Sequence, residues 1–297
     1  MGGYDYTAVG HVTADVFADG SVRPGGSALY SALQAARLGR RALIITQGVE
    51  QQIAELLAPY RPELALEIHP AKHTTTLKTS GQGAGRTQRL LAWAGPIGHT
   101  IAVDTSILHL APVARETAAE WRGRADFIGL TPQGLVRTWA RLGAEIGHVE
   151  LAPRQLPRRC DAIVISRAER DSCAWLIEGV ERGPRRRGSG RAGARAGGTA
   201  RARRAVVAVT GGADATALHI PGRETLELQV PHIEHFVDDL GAGDVFAAAF
   251  FIALREERPP VEAAAFANAA AAVRIGGAGP GAVGERGAIE AHLHALR

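Results

Sequence analysis

The sequence predicts an α/β fold in which a mostly parallel central sheet carries helices on both faces. Three observations carry this reading. Short apolar strand segments alternate with helical segments along most of the chain, the pattern of a parallel sheet covered on both sides. Several of those strands read as fully buried, Ala205-Val-Val-Ala-Val-Thr most clearly. The 297 residues are 46% apolar, enough for a sizeable core. Ligands of such a sheet bind beyond the carboxyl ends of its strands.

In chain order, Thr7-Ala-Val-Gly-His-Val reads as a first strand, and residues 12–24 alternate apolar and polar as a small hairpin. Residues 27–38 read as a helix, Ala42–Thr46 as a buried strand and 50–58 as another helix. Leu64–His69 and Thr74–Lys78 are strands, and Gly81–Gly85 is a turn into a returning strand at Thr87–Trp93. Ile107–Ala111 and Ala125–Leu130 are short strands, each expected to lead through a polar loop into a helix, and Asp161–Ser166 continues the series. The whole is expected to form one domain over 1–297, with lid strands from about 12–24 and 74–98. Residues 181–204 break the pattern. Glycine, alanine and arginine dominate there without an apolar period, which predicts a disordered surface insertion.

The net charge of +4 is local. Nine of the 34 basic side chains fall within residues 182–204, leaving 25 against 30 acidic ones elsewhere. The body of the chain is therefore mildly acidic and gives no ground for a nucleic-acid partner. No uninterrupted apolar run is long enough to span a membrane, and the first residues lack a signal core. Two cysteines, Cys160 and Cys173, make no disulfide framework, so a reduced cytoplasmic compartment is expected. The two lysines, Lys72 and Lys78, follow no P-loop glycines. The histidine pairs 232/235 and 292/294 lack a third zinc ligand, and no Gly-x-Ser-x-Gly elbow is present.

The stretch Val237-Asp-Asp-Leu-Gly-Ala-Gly-Asp-Val-Phe246 carries the chemistry. Gly241, Ala242 and Gly243 are small enough for backbone amides to approach an anion where a loop becomes a helix. Asp244 falls in the first helical turn, placed to accept a proton from an attacking hydroxyl. The combination suggests phosphoryl transfer to an alcohol. An acidic first turn after an ordinary glycine loop is the plain alternative.

This string resembles the C-terminal signature of the ribokinase-like (PfkB) carbohydrate kinases. A second element, Gly25-Gly26 followed by Ser-Ala-Leu-Tyr-Ser-Ala-Leu-Gln-Ala-Ala-Arg-Leu-Gly39, resembles that family's N-terminal signature and stands in the same order. The resemblance implies a three-layer α/β/α fold with a small lid, ATP and Mg²⁺ as cofactors, and a small sugar or polyol as substrate. It leaves room for a monovalent cation and for a homodimer formed through the lid. It implies that Asp244 is the general base and that the Gly241–Gly243 amides form the anion hole. Asp15 matches the Asp that grips substrate hydroxyls, and Gly25 and Gly26 match the glycines that let substrate near the backbone. Tyr30 stands where the family often has Asn.

Arg89 on the lid could reach substrate, although an exposed strand arginine is the commoner case. Gln133 lies in Leu130-Thr-Pro-Gln-Gly-Leu-Val-Arg137, a phrase similar to one in inositol kinase-like members; a turn begun by Pro132 explains it equally well. Ser166-Arg-Ala-Glu169 takes the place of the family's Asn-x-x-Glu, with Glu169 serving Mg²⁺ through water. Thr210, Gly212, Asn268 and Gly277 fall where the family binds ATP. Myo-inositol-like polyols are the favoured acceptors. Nucleosides, and a non-catalytic binding protein on the same fold, are the alternatives.

Overall fold

A computed structural model of the chain describes residues 3–81, 85–98, 101–183, 204–233 and 235–294. Most of the arginine-rich segment at 181–204 lies outside the described residues. The N-terminal half runs β1 (Tyr4–Val9), β2 (Thr13–Val16), β3 (Val22–Gly25), α1 (Ser27–Arg37), β4 (Ala42–Gly48), α2 (Glu50–Leu56), β5 (Leu64–Pro70), β6 (Thr76–Ser80), β7 (Thr87–Ala92), β8 (Ala102–Leu110) and β9 (Arg122–Leu130). It continues as α3 (Gln133–Val136), β10 (Arg137–Thr138), β11 (Gly147–His148), β12 (Ala162–Ser166), α4 (Ala174–Glu181), β13 (Val206–Gly211), β14 (Asp214–His219) and β15 (Leu226–Leu228). Three helices close the chain: α5 (Ala242–Arg255), α6 (Pro260–Ile275) and α7 (Arg286–His294).

The main sheet has the order β15-β14-β13-β12-β9-β8-β1-β4-β5. Every pairing from β13 across to β5 is parallel, and β14 and β15 add an antiparallel edge. Side chains alternate between two cores, as strand geometry requires. On one face Tyr6, Ala8, Ile44, Ile107, Val164 and Ala208 pack under α1, α5 and α6. On the other, Val9, Ile45, Leu108, Leu110, Ile163, Ile165, Val207 and Val209 meet Leu176, Ile177 and Val180 of α4. Helix α5 is buried along the whole of Val245–Ala253. It leaves only its ends to solvent, with Asp244 in its first turn and Arg255 in its last, each sign suited to the helix dipole.

Two expectations about connections need correction. No helix follows β8: residues 111–121 are irregular. Pro112 cannot donate a backbone bond, and the buried Glu116 carboxylate instead takes the amides of His11, Val113 and Ala114 at 2.6–2.8 Å. After β9 the helix is only four residues long, because Arg137 turns to extended backbone and enters the short β10–β11 ladder.

The lid is a separate four-stranded sheet, β3-β2-β6-β7. It leaves the main sheet at Gly10–Val12, straight after β1, and returns at Gly25, straight before α1. Leu77 and Leu90 face inward and pack with Val113, Ala114, Trp93, Trp139 and Ile146. Burial of each leucine stabilises the lid's position by about 1.5–3 kcal/mol. The lid thus covers the edge where β1 and β8 end and where α1 begins, and Arg86 before β7 reaches Asp239 just ahead of α5.

Candidate active site

Asp15 sits on β2, opposite Arg23 of β3, and is almost fully buried. Its carboxylate lies where a Cβ on Gly25 would have to be, so only glycine fits at 25. Thr13 Oγ1 donates to Asp15 Oδ1 at 2.7 Å. Burial nevertheless pushes the Asp15 pKa up to about 6, against the pull of Thr13, Arg137 and Arg86.

Asp244, like Asp15, lies in the field of Arg137. Gly241 caps α5 with φ 80°, and its backbone lies against the face of the Tyr30 ring, which a side chain at 241 would strike. The turn uses the Ala242 amide, which donates to the Asp239 carbonyl at 3.2 Å. The N–H groups of Gly241, Gly243 and Asp244 have no protein acceptor among the described residues. The N–H groups left free at this turn are therefore those of 241, 243 and 244, because the turn consumes the Ala242 amide. Nothing lies within 4 Å of a Cβ built on Gly243, so that side is open to a ligand. Burial raises the Asp244 pKa to about 6; Ser27 and Arg137 oppose the shift and the Glu169 charge adds to it. A carboxyl so tuned is ionised, yet basic enough to take a proton, near neutral pH.

Arg137, the last residue of the 130–137 phrase, had not been singled out. It is buried and donates to the Val113 carbonyl at 3.1 Å and to Gln88 Oε1 at 2.6 Å. Burial lowers its pKa, opposed by the charges of Glu169, Asp244, Glu116 and Asp15. It therefore puts a positive charge among the carboxylates of the site. Arg89 is exposed on the outer face of β7, and its neighbours of opposite parity, Gln88 and Leu90, point inward. Arg86, just before β7, forms an ion pair with Asp239 beside the anion-binding turn. Alternation along β7, anchored on the buried Leu90, is the signal that would have favoured Gln88 over Arg89. Gln133 is half-buried at the start of α3.

Glu169 is buried just after β12, and one carboxylate oxygen accepts the Ser166 amide at 2.7 Å. Its other oxygen has no protein donor among the described residues. No group of three His, Cys, Asp or Glu able to hold a metal occurs among the described residues. The donor set thus fits a Mg²⁺ held by phosphates and water with Glu169 behind the water, and does not fit an all-protein metal cage. Thr210 is the next-to-last residue of β13, and Gly212, at φ 70°, turns the chain into β14. Asn268 of α6 is buried, accepts from Thr216 Oγ1 at 2.9 Å, and keeps its amide nitrogen without an acceptor among the described residues. Gly277 follows α6 and packs so closely on Ala282 that a side chain there would collide.

Residues 190–285 match the pfkB family carbohydrate kinases. No curated protein matches the sequence. Among solved structures, a pyrophosphate-dependent myo-inositol-1 kinase converted to a myo-inositol-3 kinase is similar, with a TM-score of 0.71 at 16% identity, over 98% of this chain and 99% of that one. The Arabidopsis thaliana ribokinase complexed with ribose and ATP superimposes with a TM-score of 0.66 at 16% identity, over 99% of each chain. The Sinorhizobium meliloti adenosine kinase does so with 0.63 at 16% identity, over 98% of this chain and 99% of that one. No helix among the described residues is long and apolar enough to cross a membrane. The chain shares the fold of the ribokinase-family structures, and a segment of it that includes Asp244 matches the pfkB family carbohydrate kinases.

Proposed function

We propose that this protein transfers the terminal phosphoryl group of ATP to a hydroxyl of a small cyclitol or sugar. The observation that carries the reading is the Asp244 carboxyl, raised toward neutrality and flanked by the unpartnered amides of Gly241, Gly243 and Asp244. In this reading Asp15 accepts hydrogen bonds from substrate hydroxyls, and Arg137 donates to an oxygen on the opposite side. Such a pairing suits a ring with hydroxyls around its whole edge. Asp244 takes the proton of the attacking hydroxyl while the oxygen bonds to phosphorus and the bond to ADP breaks. The three amides stabilise charge on the transferred group. Mg²⁺, when bound, neutralises phosphate charge, with Glu169 orienting its water. Arg86 and Asp239 tie the lid to the anion-binding turn and so keep water from the transfer.

The myo-inositol kinases among the structural neighbours support a cyclitol acceptor. Those neighbours are pyrophosphate-dependent, which makes the donor a point to measure. The test is a panel of cyclitols, sugars and nucleosides, each offered with ATP and with pyrophosphate and assayed for phosphorylated product. Turnover with a cyclitol or sugar and ATP, lost in Asp244→Asn, supports the proposal. Turnover confined to nucleosides or to pyrophosphate overturns the substrate or the donor, and binding without turnover in every combination overturns the kinase reading.

A further inference from the structure

Arg274, on the last turn of α6, has no exposed surface. Its Nη1 donates to the carbonyls of Gly277 at 2.8 Å and Asp238 at 3.2 Å. Its Nη2 donates to the Leu240 carbonyl at 2.6 Å and to Asp238 Oδ2 at 3.0 Å. Three carbonyl oxygens and one carboxylate oxygen thus converge on a single positive charge. That is the kind of donor set with which proteins strip and hold a small monovalent cation. Here the guanidinium fills it.

The cage joins the two loops that border the transfer. Asp238 Oδ1 also accepts the Leu240 amide at 2.9 Å, and Oδ2 accepts the Gly279 amide at 3.1 Å. Leu240 directly precedes Gly241, the cap of the anion-binding turn. Gly277 and Gly279 belong to the loop after α6. The guanidinium carbon lies 5.2 Å from the centre of the Tyr30 ring, which supports Gly241 from beneath. Removing the charge would leave the Asp238 carboxylate and three carbonyls facing one another, a repulsive arrangement that either loop relieves by moving.

The monovalent cation that the sequence resemblance leaves room for does not fit beside this residue, because two positive charges cannot share the same four oxygens. We propose that Arg274 is a built-in cation: a positioning residue that does the work of a bound monovalent ion, so that this protein functions without K⁺, Na⁺ or NH₄⁺. The inference rests on the proposed kinase reading for its rate measurements but not for its binding measurements.

Thermal melts of the full chain in KCl, NaCl, NH₄Cl and tetramethylammonium chloride at equal ionic strength test it without reference to any reaction. The same Tm in all four is expected; a saturable rise specific to one small cation overturns the proposal. Phosphoryl transfer is then measured in the same salts. Equal rates are expected, and saturable activation by K⁺ or NH₄⁺ overturns the inference. Arg274→Ala supplies the converse. The emptied cage is expected to lower kcat with little change in KM for the acceptor, to be rescued by guanidinium or K⁺, and to make the Tm depend on those ions. A folded Arg274→Ala that keeps full rate, or one whose loss no cation restores, counts against the role. Where that variant does not fold, the wild-type melts decide. Absence of transfer in every salt sinks the kinase reading alone, since the melts still report on the cage.

Discussion

Arg137 and Arg274 are both buried arginines, and they are held in opposite ways. Arg274 spends four donor contacts on loop carbonyls and on Asp238, and has no surface left. Arg137 spends one contact on a carbonyl and one on the neutral Gln88, and makes no ion pair among the described residues. Yet it lies in the field of Asp15, Glu116, Glu169 and Asp244. A guanidinium whose two Nη atoms are spent on loop oxygens holds those loops in place. A charge held by two neutral acceptors in the field of four carboxylates, with none of which it forms an ion pair among the described residues, is not committed to one protein partner. Burial alone did not separate the two; the identity of their partners did.

The largest effect expected on the working side of this contrast is at Asp244. Asp244→Asn should lower kcat by about 10²–10⁴-fold while nucleotide binding persists. It should also stabilise the fold at neutral pH. The native pKa of about 6 lies above the ordinary carboxyl value of 3.8, so the native state binds the proton more readily. Stability therefore falls as pH rises from about 4 to 6, and the ionised carboxyl costs up to roughly 3 kcal/mol at pH 7. A parental kcat, or a lower Tm in Asp244→Asn at pH 7, breaks the assignment of this carboxyl to function.

On the scaffold side, Arg274→Met should cost about 1.5–3 kcal/mol, because it removes the charged donor from the half-buried Asp238 carboxylate and from three carbonyls. Arg137→Met should leave the Tm near the parent and instead raise KM for the acceptor. Loss of a charge-assisted bond of about 1.5–3 kcal/mol corresponds to roughly 10–100-fold. Denaturant melts and steady-state kinetics on the pair check this directly. If Arg137→Met destabilises as much as Arg274→Met, the two arginines do the same job and the contrast dissolves.

Asp15→Ala should raise KM for the acceptor while KM for ATP stays nearly constant. Equal rises in both constants would place Asp15 with the scaffold, as a support for the Gly25 turn. The smallest expected effect is the pH dependence. Asp15 and Asp244 both titrate near 6, so kcat/KM should rise as pH climbs through that value and then level off. In Asp244→Asn the residual rate should follow Asp15 alone. A profile still set by two groups in that variant would show that a third carboxyl titrates in the site.

The glycine turn with Asp244, the Gly25-Gly26 helix entry and the alternating strands were legible because each is a local pattern. Hydrophobic period, small residues where a helix begins and an acidic first turn are decided within a few residues of one another. Asp15 was legible only through its likeness to a family motif. The sequence points to Arg89 although Gln88 and Leu90 are the less exposed members of β7, since the parity of a strand becomes readable only once one buried member, here Leu90, is known. The missing helix after β8 had no local signal, because its replacement is a carboxylate, Glu116, that reaches across to His11.

By itself the sequence determined the α/β alternation, the two helix entries and the residue at the head of α5, all consequences of short-range backbone preference and apolar periodicity. The tertiary structure alone decided that Arg137 stands among Asp15, Glu169 and Asp244, residues scattered along the chain. It alone seated the Arg274 guanidinium among oxygens drawn from both loops that border the site. The reason is physical: a buried charge is defined by what surrounds it, and those surroundings exist only after distant segments have been brought together.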